Sequence, residues 1–162
     1  KNFPMNIIRP SNAYGPGQQV WRVIPRAILA ALNKKKFPLQ GGGNVKKSYL
    51  YVDDLSEATH SILINGKPGD TYNAGPNSPV TIREIIQIIA EELNLELNEF
   101  CNEVEGRVGE DSQYWLDSSK IISELKWKPK VSLRDGIREM ISWVKKYKDE
   151  LMKEKDTFIL HS

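Results

Sequence analysis

Three times along the chain a short apolar run breaks off at polar residues, turns, and gives way to an amphipathic helix. "MNIIRPSNAYGPG" leads into "QVWRVIPRAILAALNK", "SYLYVDD" into "LSEATHSILING", and "DTYNAGPNSPV" into "TIREIIQIIAEELN". Strand, polar loop and helix in that repeated order predict an α/β (mixed α+β) domain whose loops can gather on one side. The first loop is the most unusual. Ser11, Asn12 and Tyr14 set out a hydroxyl, an amide and a phenol before the break at Gly15-Pro16-Gly17. Binding loops at a strand's carboxyl end are built in this way.

Periodicity places the elements. Val20, Ile24, Ile28 and Leu32 recur every four residues, predicting a helix over 19–34 with Pro25 near its start. A strand over 48–52 precedes a helix capped by Asp53 or Asp54 and ended at Asn65-Gly66. Thr81 and Glu84 have capping-box spacing, with Ile82, Ile85, Ile86, Ile89 and Leu93 facing inward. Strands at 100–104 and 113–116 flank the loop "EGRVGEDS", and "DSSKIISEL" is a short helix stopped by "KWKPK". The last helix begins at Ser132 and fades into "KDELMKEKD". Tyr51 and Trp115 read as core strand residues, and Trp127 as packing at a helix stop.

A length of 162 residues suits a single domain over 1–162. The 23 basic and 21 acidic residues nearly cancel, so no global field points to nucleic acid. No apolar run approaches the ~18 residues that span a membrane. One cysteine, Cys101, excludes an internal disulfide and fits a reducing compartment, with the cytoplasm as the expected location. Cys101 itself reads as a small strand residue.

The chemistry of catalysis is hard to find. Gly15-Pro16-Gly17 lacks the third glycine of a dinucleotide fingerprint, and "GGGNVKK" lacks the Walker lysine. His60 and His161 stand alone, which argues against a metal site or a histidine-based triad. No tyrosine is followed four residues later by lysine. The chain reads as one that binds and does not catalyse by itself.

"IIRPSNAYGPGQ", "KKSYLYVDDLSEA", "GDTYNAGPNSPVTIREI" and "RVGEDSQYWLDSSKIISELKWKPKVSLRDGIREMISWV" together resemble the C-terminal half of NAD-dependent nucleotide-sugar epimerases and dehydratases. These belong to the extended short-chain dehydrogenase/reductase family, and the chain looks most like its dTDP-glucose 4,6-dehydratase branch. The resemblance implies a C-terminal substrate-binding domain with a late strand of the dinucleotide fold at its N-terminus. It further implies that the NAD-binding half, with the glycine fingerprint and catalytic Tyr-x-x-x-Lys, lies outside this chain. NAD is then the cofactor of the parent enzyme and is not expected to bind this fragment well.

Carried over by position, the resemblance puts Pro10 and Ser11 near the nicotinamide and Asn12 on the diphosphate. Arg22 and Val23 match substrate contacts, Pro38 and Gln40 flank the base, Lys47 and Arg107 reach phosphate, and Ser78 and Glu110 lie near the nucleotide. The family pattern usually has arginine at Lys47, an aromatic residue at Gln40, histidine at Glu110 and asparagine at Ser78. Those departures leave the base open among thymidine, UDP, GDP and CDP forms. The expected partner is a nucleotide-diphosphate sugar, with no nucleic acid and no membrane. The parent is expected to be a homodimer and the fragment to self-associate through its N-terminal strand. The alternative is a stand-alone, non-catalytic interaction module with the same fold.

Overall fold

The structure is a computed structural model that describes residues 3–106, 109 and 111–154. In chain order it runs β1 (Ile7–Pro10), β2 (Asn12–Tyr14), α1 (Val23–Leu32), β3 (Phe37–Gln40), β4 (Lys46–Lys47), β5 (Tyr49–Tyr51) and α2 (Val52–Asn65). It continues with β6 (Thr71–Ala74), β7 (Val80–Thr81), α3 (Ile82–Glu92), α4 (Leu97–Phe100) and β8 (Cys101–Val104). The chain then forms β9 (Gln113–Tyr114), α5 (Ser119–Leu125), α6 (Leu133–Lys146) and α7 (Lys148–Leu151). A 3₁₀ turn at Gly41–Gly43 follows β3. The predicted mixed α/β class is what forms.

Two compact units are interleaved along the chain. The first comprises residues 1–14, 46–80 and 111–133. It holds three parallel strand pairs: β1 with β6, β2 with β5, and β4 with β9. Tyr72 and Ala74 alternate onto one face of β6, where Leu50, Ala58, Ile62, Ile121 and Trp127 close a core that also takes in Ile8. Helices α2 and α5 cover that face. Trp127 packs there as the sequence predicts, and His60 lies exposed on α2.

The second unit comprises residues 15–45, 81–110 and 134–162. Its parallel pair β3–β8 sets Phe37 opposite Cys101 and Gln40 opposite Val104. Phe37 and Leu39 turn inward, and Phe37 meets Phe100 with ring centroids 6.2 Å apart. The Thr81 capping box is present in full: Thr81 Oγ1 accepts from Glu84 N at 3.0 Å, and Glu84 Oε2 accepts from Thr81 N at 2.6 Å. Helix α3 buries Ile85, Ile86 and Ile89, as its periodicity requires.

Several expectations are corrected. The first helix is shorter than 19–34, because Arg22 is still extended (φ −71°, ψ 149°) and turns begin again at Asn33. Neither Asp53 nor Asp54 caps α2: the N-cap is Tyr51, without a side-chain bond, and both aspartates lie in the first turn. Asp54 is instead buried and serves a distant loop. Trp115 is 45% exposed rather than core, since β9 ends at Tyr114 and the alternation that would turn its ring inward stops there.

Candidate functional site

Parallel strands present ligands beyond their carboxyl ends, where loops and unused backbone groups collect. In the first unit this edge lies after β1 and β6. Ser11 leaves β1 with its N–H donating to Ala74 O at 2.9 Å. The residue is 5% exposed, and its hydroxyl finds no partner among the described residues. The next residue, Asn12, turns into β2 and donates both its backbone N–H (3.1 Å) and its Nδ2 (3.0 Å) to Ser48 O.

Ser48 lies between β4 and β5 and is fully buried. Its N–H donates to Tyr114 O at 3.2 Å, and its Oγ donates to Pro76 O at 2.7 Å. The turn after β6, "GPNS", is thereby tied to the strand that carries Lys47. Gly75 lets the two loops pack closely, because a Cβ there would meet Ser11 Oγ at 2.6 Å. Three segments that are distant in sequence, 10–12, 47–48 and 75–78, thus converge within one unit.

Neighbouring groups hold this edge. Tyr14 stands edge-on to Tyr49 and Tyr51, with centroids 6.2 and 5.5 Å away. Asn73 Nδ2 donates to Asp117 O at 3.0 Å, and Asn77 Oδ1 accepts from Ser118 N at 3.4 Å. The Asp117 carboxylate accepts from Ser119 Oγ and N, which holds it below the usual carboxylate range. Ser78 also lines a pocket of about 310 Å³ with Tyr49, Tyr51, Val131 and Leu133. Asp54 shapes its wall by accepting the N–H groups of Lys130 and Val131, both at 3.0 Å.

Of the residues singled out in the sequence, the first unit therefore carries Pro10, Ser11, Asn12, Lys47 and Ser78. The second unit carries Arg22, Val23, Pro38 and Gln40. Arg22 is exposed just before α1, which Val23 opens. Pro38 and Gln40 share the face of β3 opposite to buried Phe37 and Leu39. Arg107 and Glu110 lie outside the described residues. Sequence reasoning missed Ser48, whose only local signal is a small polar residue between Lys47 and the aromatic strand "YLY". Among the described residues no His, Cys, Asp and Glu cluster could hold a metal ion, and no helix is long and apolar enough to cross a membrane.

The profile of the GDP-mannose 4,6 dehydratase family matches residues 1–140. Mouse dTDP-D-glucose 4,6-dehydratase is 36% identical over 149 residues, which are 89% of this chain and 42% of that protein. The NAD complex of dTDP-glucose 4,6-dehydratase from Bacillus anthracis superposes with a TM-score of 0.83 at 31% identity, covering 89% of this chain and 45% of that one. UDP-glucuronic acid 4-epimerase from Bacillus cereus, in complex with UDP-glucuronic acid and NAD, gives 0.81 at 28% identity, covering 88% and 46%. The chain thus spans less than half the length of these proteins.

Proposed function

Because the chain belongs to the GDP-mannose 4,6-dehydratase family, we propose that it is the substrate-binding portion of an NAD-dependent nucleotide-sugar 4,6-dehydratase or epimerase. The observation that carries this reading is the convergence of Ser11–Asn12, Lys47–Ser48 and Gly75–Ser78 at the carboxyl edge of one set of parallel strands. Dehydratases and an epimerase among the similar proteins support both reaction types.

Within this reading Asn12 and Lys47 hold the diphosphate in the first unit, and Arg22 and Arg107 are carried over from the resemblance as substrate and phosphate contacts. A hydrogen bond to a charged group contributes about 1.5–3 kcal/mol, and lysine gives up the two-pronged contact of an arginine. Val23, Pro38 and Gln40 are carried over from the resemblance as contacts to the substrate and base, and Ser78 and Glu110 as nucleotide contacts. The resemblance puts Pro10 and Ser11 at the nicotinamide, and the Ser11 hydroxyl, buried and without a hydrogen-bond partner among the described residues, is a polar group left over at the end of β1. NAD, when bound, accepts the hydride from sugar C4 and later returns it. The residues of this chain fix the sugar's orientation for that transfer without supplying the acid–base group.

The parent enzyme is read as a homodimer, and self-association of this chain through β1 follows from its apolar, partly uncovered side. Ile7 is 41% and Met5 52% exposed. A single buried thiol fits a cytoplasmic location. The test is a titration of ¹⁵N-labelled chain with dTDP-, UDP-, GDP- and CDP-sugars. Shifts at Asn12, Arg22, Lys47 and Arg107 with one of them are expected, with a dissociation constant no tighter than about 1 mM given a partial pocket. Absence of shifts at those residues with all four overturns the reading.

A further inference from the structure

We propose that Ser48, which no motif singles out, is a positioning residue that presents Asn12 and the Gly75–Ser78 turn to the same ligand. The proposal rests on the nucleotide-sugar reading and names the residue that organises its first-unit half.

Ser48 uses every polar group it has. Its N–H goes to Tyr114 O, its Oγ to Pro76 O, and its carbonyl accepts two bonds from Asn12. The double acceptance fixes the Asn12 side chain against its own backbone, because both donors end on one oxygen. An amide has two N–H donors and one acceptor. Asn12 therefore keeps one N–H and its Oδ1 for a ligand. On the other side, Pro76 has no N–H, so its carbonyl is the one backbone hydrogen-bonding group that Pro76 itself offers. The bond from Ser48 Oγ, at 2.7 Å, supplies that hold two residues before Ser78. Gly75 leaves no slack, since the space where its Cβ would stand is filled by Ser11 Oγ at 2.6 Å and bounded by Ser48 Oγ at 3.6 Å.

Ser48 is 0% exposed and does not meet solvent. Its contribution to binding is preorganisation: with Asn12 and the turn already ordered, less conformational freedom is lost when a ligand arrives.

The test compares Ser48→Cys, which keeps the buried shape with a weak donor, and Ser48→Thr, which keeps the hydroxyl. Without ligand, Ser48→Cys is expected to move the backbone amides of Asn77 and Ser78 most and the Asn12 side-chain amide pair less, because the carbonyl at 48 remains, and Ser48→Thr to restore them. With dTDP, UDP, GDP and CDP as probes, Ser48→Cys is expected to weaken binding of the nucleotide that binds about fivefold, the effect of one neutral hydrogen bond. A Ser48→Cys chain that melts earlier but leaves the Asn12 and Ser78 signals and the nucleotide affinity unmoved overturns the proposal, because Ser48 is then packing alone. If the unsubstituted chain binds none of the four nucleotides, the nucleotide-sugar reading fails and the ligand half of this proposal with it. The ligand-free spectra still decide separately whether Ser48 holds the two loops in place.

Discussion

Gly75 lies against Ser11 with no room for a side chain between them: a Cβ at 75 would sit 2.6 Å from Ser11 Oγ and 2.9 Å from Ser11 Cβ. Neither residue can retreat easily, because the Ser11 N–H is bonded to Ala74 O at 2.9 Å, one residue before the glycine. Overpacking of this kind costs about 1–3 kcal/mol. Gly75→Ala should lower the urea midpoint by that amount with an unchanged slope. Ser11→Gly in the same chain should recover much of the loss, since it removes both clashing atoms. A neutral Gly75→Ala would show that the two loops are looser than this contact requires.

Asp54 makes a second long-range tie. The residue is 2% exposed, and its carboxylate accepts the backbone N–H groups of Lys130 and Val131 at 3.0 Å, 76 and 77 residues away. Asp54→Ala removes both acceptors, and a buried donor left without a partner costs about 1–3 kcal/mol. Asp54→Asn keeps one acceptor oxygen and should fall between wild type and alanine. Amide exchange at 130 and 131 is the direct check. Faster exchange confined to those two amides in Asp54→Ala is expected, and unchanged exchange would remove Asp54 from this role.

The sequence was most informative where partners are close along the chain. Thr81 and Glu84 are three residues apart, so the reciprocal cap could be read from spacing, as could the helix end at Asn65-Gly66. Asp54 looked like a cap for the same reason, yet its partners lie in a loop that periodicity cannot reach. Trp115 looked buried because alternation was extended two residues past the real end of β9. At the candidate site, the polar stretch before Gly15 pointed to Ser11 and Asn12, and the family resemblance added Pro10, Lys47 and Ser78. Ser48 stayed invisible because its bonds cross 28 residues to Pro76 and 36 to Asn12, and no pattern in the sequence encodes them.

Cys101 is 8% exposed on β8, and burial pushes its thiol above the usual range, against a smaller opposing effect of the nearby Arg83 charge. The thiolate is the reactive form, so a raised and shielded thiol is slow. Native chain at pH 8 should react with a chromogenic disulfide reagent far more slowly than chain unfolded in guanidinium, with one thiol released per chain in the latter. Equal rates in the two states would mean that β8 opens readily.

Acid should loosen the second unit through the charges on α3 and α6. Arg134 bonds Glu91 Oε2 at 2.6 Å and Glu92 Oε1 at 2.7 Å, while Arg138 Nε bonds Glu92 Oε2 at 2.8 Å. The Arg138 bond first, then that of Arg134, holds the Glu92 carboxyl below its ordinary value. For Glu91 it is Arg134 first, then Gln87. A carboxylate whose pKa is depressed by folding contributes stability that is present above its unfolded value and lost as pH falls through the folded one. Stability from this source should therefore hold from pH 7 down to the ordinary carboxylate range, about 4, and drop below it. Glu92→Gln should flatten that acid limb relative to wild type, and added salt should do so in part, because these side chains meet solvent. Urea unfolding at a series of pH values decides the matter: the same acid slope in both chains would place the pH dependence elsewhere, with Asp117 the next carboxylate to test.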